Sequence, residues 1–119
     1  MSDQGKRIWY FPDGDLPCPG DGELKGHESL VILNPNSQIA VIKLTVYFTD
    51  RDPVTLDAGQ VPAERVSCIR TNEPVDGFQI PLGQYALKVE GSVGIIAQLG
   101  RMDVSQPNLA YYTTMGYGM

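Results

Sequence analysis

The sequence predicts a single all-β domain, an antiparallel β-sandwich of about eight strands that spans residues 1–119. Apolar and polar residues alternate along several short segments, and this period of two is typical of a half-buried strand. Nine prolines and thirteen glycines supply turn residues between these segments. No segment shows the 3.6-residue period of an amphipathic helix. Together these observations favour two packed antiparallel sheets.

The clearest strand covers residues 39–50, where β-branched and aromatic residues dominate. Alternate positions on one face are all apolar: Ala40, Ile42, Leu44, Val46 and Phe48. The other predicted strands are shorter and are bounded by turn residues: 6–11, 28–34, 54–56, 65–71, 84–91, 93–103 and 109–116.

The segment 12–26 is the longest that is predicted to lack a strand, and it is rich in glycine, proline and acidic residues. Two interpretations of this segment stay open. It is an ordinary surface loop, or it is a binding lid, because long loops in compact domains often carry function.

The composition excludes several classes of protein. A net charge of −5 and a pI of about 4.6 disfavour a nucleic-acid binder, which needs a basic face. The chain shows no secretory signal and no run of about 20 apolar residues, so we expect a cytoplasmic protein without membrane insertion. Cys18 and Cys68 are then free thiols. Two cysteines and one histidine are too few for a zinc site, so we expect no metal and no cofactor.

Residues 27–29 read His-Glu-Ser at the start of a predicted strand that ends at Asn34. Because side chains alternate along a strand, His27 and Ser29 lie on one face and Glu28 on the other. The three side chains therefore do not converge as a catalytic set without a bulge. The second histidine of an HExxH zinc site is also missing. These residues either bond to loop backbone at a strand entrance, or one or two of them line a pocket.

A second candidate site lies in and after the segment 93–103. Arg101 and Asp103 share one face of the predicted strand, and Gln106 follows a bend. Arginine presents a planar fork to carboxylates, phosphates or paired hydroxyls, and Asp and Gln bind hydroxyl groups well. The alternative is an Arg–Asp surface pair that contributes little to stability.

Ordered sequence blocks over roughly residues 6–117 resemble the sensory rhodopsin transducer family. They are Trp9 with PDGDLP, then HESLVILN, VYFTDRDPV and VPAERV, and finally IIAQLGRMD with Gln106 and TTMGY. The resemblance implies a small, cytosolic β-sandwich that assembles as a cyclic homotetramer and binds a small molecule, such as a sugar or a related metabolite. It implies that the residues matching the family's recurrent polar and aromatic positions are candidate ligand-site residues: Trp9, His27, Glu28, Ser29, Asn34, Arg101, Asp103 and Gln106.

Three function classes follow. The first is a non-enzymatic sensor domain, in which Trp9 stacks on a sugar ring and the polar set bonds its hydroxyls. The second is a cytosolic signalling adaptor, because the family's founding member couples to a membrane photoreceptor. Its protein partner would contact exposed tyrosines and the segment 12–26. An enzyme with His27 or Glu28 as acid or base ranks third. The founding member has also been linked to DNA, but the acidic balance here gives DNA binding no support.

Overall fold

The computed structural model describes residues 3–105 and 110–119. In this part of the chain it contains eight β-strands and no helix, which confirms the all-β prediction. The strands are β1 (Lys6–Leu16), β2 (His27–Asn34), β3 (Ala40–Tyr47), β4 (Val54–Val61), β5 (Arg65–Arg70), β6 (Gly83–Asp103), β7 (Ala110–Met115) and β8 (Tyr117–Gly118). No helix among the described residues is long and apolar enough to cross a membrane.

All strand pairs are antiparallel, and the long strand β6 belongs to two sheets. Sheet A has the order β4-β3-β6-β1-β8. Sheet B contains β5, β2, the second half of β6, and β7, in that order. The central position of β6 in both sheets makes it the element that joins the sandwich.

The prediction of two separate strands at 84–91 and 93–103 is wrong, because β6 runs through both segments as one strand of 21 residues. Gly91 and Gly94, which flank the predicted break, allow close approach of neighbouring atoms and form no turn. A Cβ atom added at Gly94 would lie 2.0 Å from the carbonyl oxygen of Gln4. Glycine is thus required where the N-terminal segment crosses β6.

The start of the segment 12–26 also differs from the prediction, because β1 continues through Pro12 to Leu16. A register shift between Phe11 and Gly14 accommodates the proline. The segment without a strand is therefore limited to residues 17–26. As a result, Asp13 and Asp15 are held on a strand opposite β6.

One hydrophobic core lies between the sheets and combines residues from most strands. The predicted alternation along β3 is confirmed, because Ala40, Ile42, Leu44 and Val46 are all buried. Phe48 lies just beyond the end of β3 and packs at the edge of this core. Cys18 and Cys68 are free thiols, as predicted, and the structure shows that both are exposed.

The two faces of β2 separate as its alternation predicts. Glu28 and Asn34 point inward with Leu30 and Ile32, whereas His27 and Ser29 lie on the opposite, half-buried face. The inner face of β2 is therefore polar at both ends and apolar in its middle. Each polar end meets a different set of neighbours, and these two sets define the two ends of the sandwich.

Candidate functional site

Glu28 is fully buried at one end of the sandwich and accepts hydrogen bonds from three elements. The Tyr85 hydroxyl at the start of β6 donates to Oε1. The Thr71 hydroxyl, just after β5, donates to the same oxygen at 2.9 Å. The backbone N–H of Asp15 on β1 donates to Oε2 at 3.1 Å. These donors stabilise a carboxylate that would otherwise be costly to bury.

Arg101 lies directly across from Glu28 on β6 and completes this group. Its Nε is 3.5 Å from Glu28 Oε2, and its Nη1 is 3.6 Å from the Asp15 carboxylate. Nη2 donates a hydrogen bond of 3.0 Å to the carbonyl oxygen of Asp13. The Tyr112 ring covers the guanidinium, with Cζ 4.9 Å from the ring centroid. We call Glu28, Arg101, Asp15, Thr71 and Tyr85 the Glu28 cluster.

The electrostatics of the cluster keep Tyr85 protonated. Burial raises the pKa of Tyr85 well above its usual value of 10.0, and the charge of Glu28 and its hydrogen bond raise it further. Partial burial also raises the pKa of Tyr112, although the positive charge of Arg101 acts in the opposite direction. The Tyr85 hydroxyl is thus a fixed donor to Glu28 Oε1, which also accepts from Thr71, while Oε2 accepts from the Asp15 backbone. Hydrogen bonds from three parts of the chain therefore hold the strands together through Glu28.

An open groove of about 390 Å³ lies next to the cluster, between the middle of β1 and the C-terminal strands. Asp13 connects the groove to the cluster, because it lines the groove and its carbonyl oxygen accepts a hydrogen bond from Arg101. We call this feature the β1–β7 groove. Its lining residues are Phe11, Pro12, Asp13, Thr114, Met115, Gly116 and Tyr117.

A second cleft of about 320 Å³ lies at the opposite end of the sandwich, near the other polar end of β2. Asn34 frames it from the interior, where its amide nitrogen donates to the carbonyl oxygens of Gln38, Val61 and Pro62. Asn34 is fully buried, and its side-chain oxygen accepts from the Asn36 backbone. Asn34 therefore organises the loops at this end, about 20 Å along β2 from Glu28.

Trp9 lies in the core, with only 8% of its surface exposed. Its indole N–H donates to the carbonyl oxygens of Lys6 and Ile95, both at 3.0 Å. This burial leaves no accessible ring face for the predicted stacking on a sugar. The structure gives Trp9 a packing role, in which a satisfied polar group anchors a large apolar ring.

The remaining predicted residues are dispersed. His27 and Ser29 face away from the Glu28 cluster. Nδ1 of His27 lies 3.0 Å from the carbonyl oxygen of Lys25. Asp103 is half-buried and accepts a hydrogen bond from the Ser105 backbone, which lowers the pKa of its carboxyl group. Gln106 lies outside the described residues. Of the predicted residues that the structure describes, it brings together only Glu28 and Arg101.

The sequence did not predict the residues that contact Glu28 and Arg101. Asp15, Thr71 and Tyr85 are separated from Glu28 and from one another by long stretches of chain, so no local spacing connects them. The acidic block PDGDLP was the one available signal, since it supplies Asp13 and Asp15. Among the described residues, no group of three or more His, Cys, Asp or Glu side chains is placed to hold a metal ion.

Comparisons with known proteins agree on the family. A family model described as Anabaena sensory rhodopsin transducer matches residues 4–118. The solved structure of Thermotoga maritima 1070 is 33% identical, covers 98% of this chain and 97% of its own, and superimposes with a TM-score of 0.85. The structure of the Anabaena sensory rhodopsin transducer is 29% identical, covers 82% of this chain and 88% of its own, and superimposes with a TM-score of 0.72. None of the curated proteins compared with the chain matches it. The chain therefore belongs to the sensory rhodopsin transducer family.

Proposed function

We propose that this protein is a non-enzymatic, cytoplasmic sensor domain that binds a sugar or a related polyhydroxylated metabolite in the β1–β7 groove. The observation that carries the proposal is a groove of about 390 Å³ that combines the exposed ring of Tyr117 with an acidic edge at Asp13. This volume falls within the range of small-molecule sites, roughly 300–1,000 Å³. The proposal keeps the ligand class that the resemblance implies and moves the site away from Trp9.

The chemistry of the groove suits a sugar. Tyr117, which is 70% exposed, offers aromatic surface on which the C–H face of a pyranose ring can pack. The Asp13 carboxylate and the Thr114 hydroxyl offer hydrogen-bond acceptors to ligand hydroxyls. Asp13 is exposed, and its Oδ1 accepts a hydrogen bond of 3.2 Å from Gln84 Nε2. Its second carboxylate oxygen is free of described partners and supplies the acceptor for the ligand.

The Glu28 cluster supports the groove from inside. Arg101 donates to the Asp13 carbonyl oxygen and stacks on Tyr112, so one side chain contacts both β1 and β7. Both strands border the groove. A buried ion pair whose carboxylate accepts three hydrogen bonds is a rigid support, and rigid supports reduce the entropy lost on binding. We assign Glu28 and Arg101 to positioning, with no part in acid–base chemistry.

Binding of simple sugars to the purified chain tests the proposal. Thermal denaturation with millimolar glucose, galactose, mannose, maltose and glycerol should show an increase in Tm for at least one sugar. A ligand at ten times its Kd stabilises the folded state by about 1.4 kcal/mol. Asp13→Asn should weaken that binding by about tenfold, as expected for one hydrogen bond to a charged group. The exposed Asp52→Asn is the matched control and should bind as the wild type does. If the folded wild type responds to none of these probes, the sugar-binding proposal is wrong.

A signalling adaptor is the second candidate, and the exposure of β7 favours it. All six residues of β7 are exposed, and among the described strands β7 pairs only with β6. An extended segment of a partner protein can add to such a free strand edge. Affinity purification from the native host should then recover one partner in stoichiometric amount, and recovery should fall when Thr113→Pro removes a backbone donor from β7. The homotetramer that the resemblance implies is compatible with either candidate.

A further inference from the structure

Residues 116–119 cover part of β1, and we call them the strap. In the described part of the chain, β8 pairs only with β1, over two residues of each strand. Next to this short ladder, Ile8 and Met119 exchange two backbone hydrogen bonds, with N–O distances of 3.3 and 2.9 Å. The strap is therefore attached along one edge of β1, whereas the other edge of β1 pairs with β6.

Little apolar burial holds the strap in place. Its two large side chains, Tyr117 and Met119, are 70% and 60% exposed. It also has no charged side chain that could form an ion pair. Segments with few buried contacts and few hydrogen bonds open locally at a free energy far below that of global unfolding. The strap is thus a segment that can lift while the sandwich stays folded.

The strap covers two aromatic residues of the core. A Cβ atom added at Gly118 would lie 3.1 Å from the Trp9 ring, and one added at Gly116 would lie 2.7 Å from the Phe11 ring. Glycine at both positions lets the backbone lie directly against these rings. Both rings are buried with the strap in place. Lifting of the strap would therefore expose apolar ring surface.

The position of Trp9 does not depend on the strap. Its indole N–H donates to the carbonyl oxygens of Lys6 and Ile95, which both lie outside the strap. Trp9 also lies opposite Val89 in the pairing of β1 with β6. When the strap lifts, the indole therefore stays anchored and presents a ring face to solvent.

The strap also forms part of the β1–β7 groove. One wall of the groove consists of Phe11, Pro12 and Asp13 on β1, and the other consists of residues 114–117, which include the first half of the strap. A ligand between these walls contacts β1 and the strap together. Such a ligand binds the closed form more tightly than the open form, so it shifts the equilibrium toward the closed form.

We propose that the strap opens locally and uncovers the Trp9 ring, and that a sugar bound in the β1–β7 groove holds the strap closed. The part played by the sugar rests on the proposed function, whereas the local opening requires no ligand. The open form is a minor state, so most molecules keep Trp9 buried. Occupancy of the groove then controls how often the Trp9 ring is exposed on the surface of the domain.

The local opening is tested by amide hydrogen exchange in the wild type without ligand. The amides of Ile8 and Met119 should exchange at least about tenfold faster than the slowest amides of β3, because the strap opens without global unfolding. Equal exchange rates would show that the strap opens only when the whole domain unfolds, and would overturn the proposal.

The cover over Trp9 is tested by quenching of its fluorescence with iodide. Gly116→Ala should increase the quenching by about twofold or more, because the added Cβ atom collides with the Phe11 ring and displaces the strap. Gly22→Ala is the matched control and should keep the wild-type quenching, since its Cβ atom meets nothing closer than 3.9 Å. Gly118→Ala serves as a second variant if Gly116→Ala does not fold. Wild-type quenching in a folded strap variant would show that the strap does not cover Trp9.

The effect of the ligand is tested with whichever of glucose, galactose, mannose, maltose and glycerol raises the Tm. At ten times its Kd, that probe should slow the exchange of the Ile8 amide by about tenfold. The Glu64 amide, which donates to the Asn36 carbonyl oxygen at the opposite end of the sandwich, should be unaffected. A probe that binds without slowing Ile8 would overturn the coupling and leave the proposed function intact. If no probe binds, the coupling fails together with the proposed function, and the exchange rates without ligand still decide whether the strap opens.

Discussion

Glu28 and Arg101 are direct cross-strand neighbours on β2 and β6, and both side chains turn inward to form an ion pair with Nε and Oε2 3.5 Å apart. Glu28 is fully buried, so its charge depends on this neighbour and on its hydrogen-bond donors. Breaking a buried pair leaves a charge without compensation, which is why removal of one partner is far costlier than loss of a surface pair.

Arg101→Met should therefore lower the free energy of unfolding by about 3–5 kcal/mol. Urea denaturation followed by circular dichroism measures this change. Arg51→Met is the control, because Arg51 pairs with Asp50 at the surface and its loss should cost less than about 1 kcal/mol. Equal effects of the two substitutions would contradict the role given to the buried pair.

Tyr85→Phe should destabilise the protein by about 1.5–3 kcal/mol at pH 8, because Glu28 loses a buried donor. The effect should depend on pH in a defined direction. The pKa of Tyr85 is raised on folding, so its contribution is complete below the usual value of 10.0 and is lost as pH rises above it. The stability difference between wild type and variant should narrow by up to about 1.4 kcal/mol per pH unit above pH 10. A difference that widens over this range would show that the sign is wrong.

Gly14→Ala should displace the Tyr85 ring. A Cβ atom at Gly14 would lie 2.6 Å from that ring, closer than any normal contact. The ring must shift away from Glu28, so we expect a loss of about 1–3 kcal/mol, similar to that of overpacking. Gly22→Ala is the control, since a Cβ atom there would lie 3.9 Å from its nearest neighbour, the carbonyl oxygen of Leu24. Wild-type unfolding midpoints for Gly14→Ala would refute the close approach of β1 and β6.

Asn34→Ala should destabilise the opposite end of the sandwich by about 2–4 kcal/mol. The substitution removes the donor to three carbonyl oxygens and the acceptor for the Asn36 backbone. Thermal unfolding measures the loss. Gln38→Ala is a suitable comparison in the same loop, because the Gln38 side chain is exposed. The Tm of this variant should differ little from that of the wild type.

Trp9 is the only tryptophan, so intrinsic fluorescence reports its environment directly. Because the indole is 8% exposed, its emission should be resistant to iodide in the folded protein and should shift to longer wavelength in urea. Sugar binding in the β1–β7 groove should leave that emission unchanged. Strong quenching of the folded protein by iodide would show instead that the Trp9 ring is exposed to solvent.

The strands with clear alternation could be predicted from the sequence because burial of one face produces that alternation. The residues of β3 and the two faces of β2 were predicted correctly for this reason. The continuation of β1 past Pro12 could not be predicted, because proline and glycine normally end a strand. The register shift that accommodates the proline is visible only in the pairing of β1 with β6. The break predicted between residues 91 and 93 was wrong for a similar reason, since a local pattern with glycines does not distinguish a turn from a close crossing of two segments.

The candidate site was predictable only in part. Glu28 and Arg101 were identified as polar residues at strand ends, but their contact depends on the register of β2 with β6. Asp15 and Tyr85 reach Glu28 from distant strands, so their roles follow from topology alone. The burial of Trp9 could not be predicted either, because an aromatic residue at this position could belong to the core, an interface or a ligand site.

The double membership of β6 also constrains how the protein is made in the cell. Strands β1, β2 and β3 each pair with β6, at positions between Gly83 and Met102. A nascent chain that has emerged only as far as residue 82 can pair β3 with β4 and β2 with β5, but it cannot join these hairpins. The two hairpins therefore join only once β6 has emerged, and until then their apolar faces stay open to unwanted contacts.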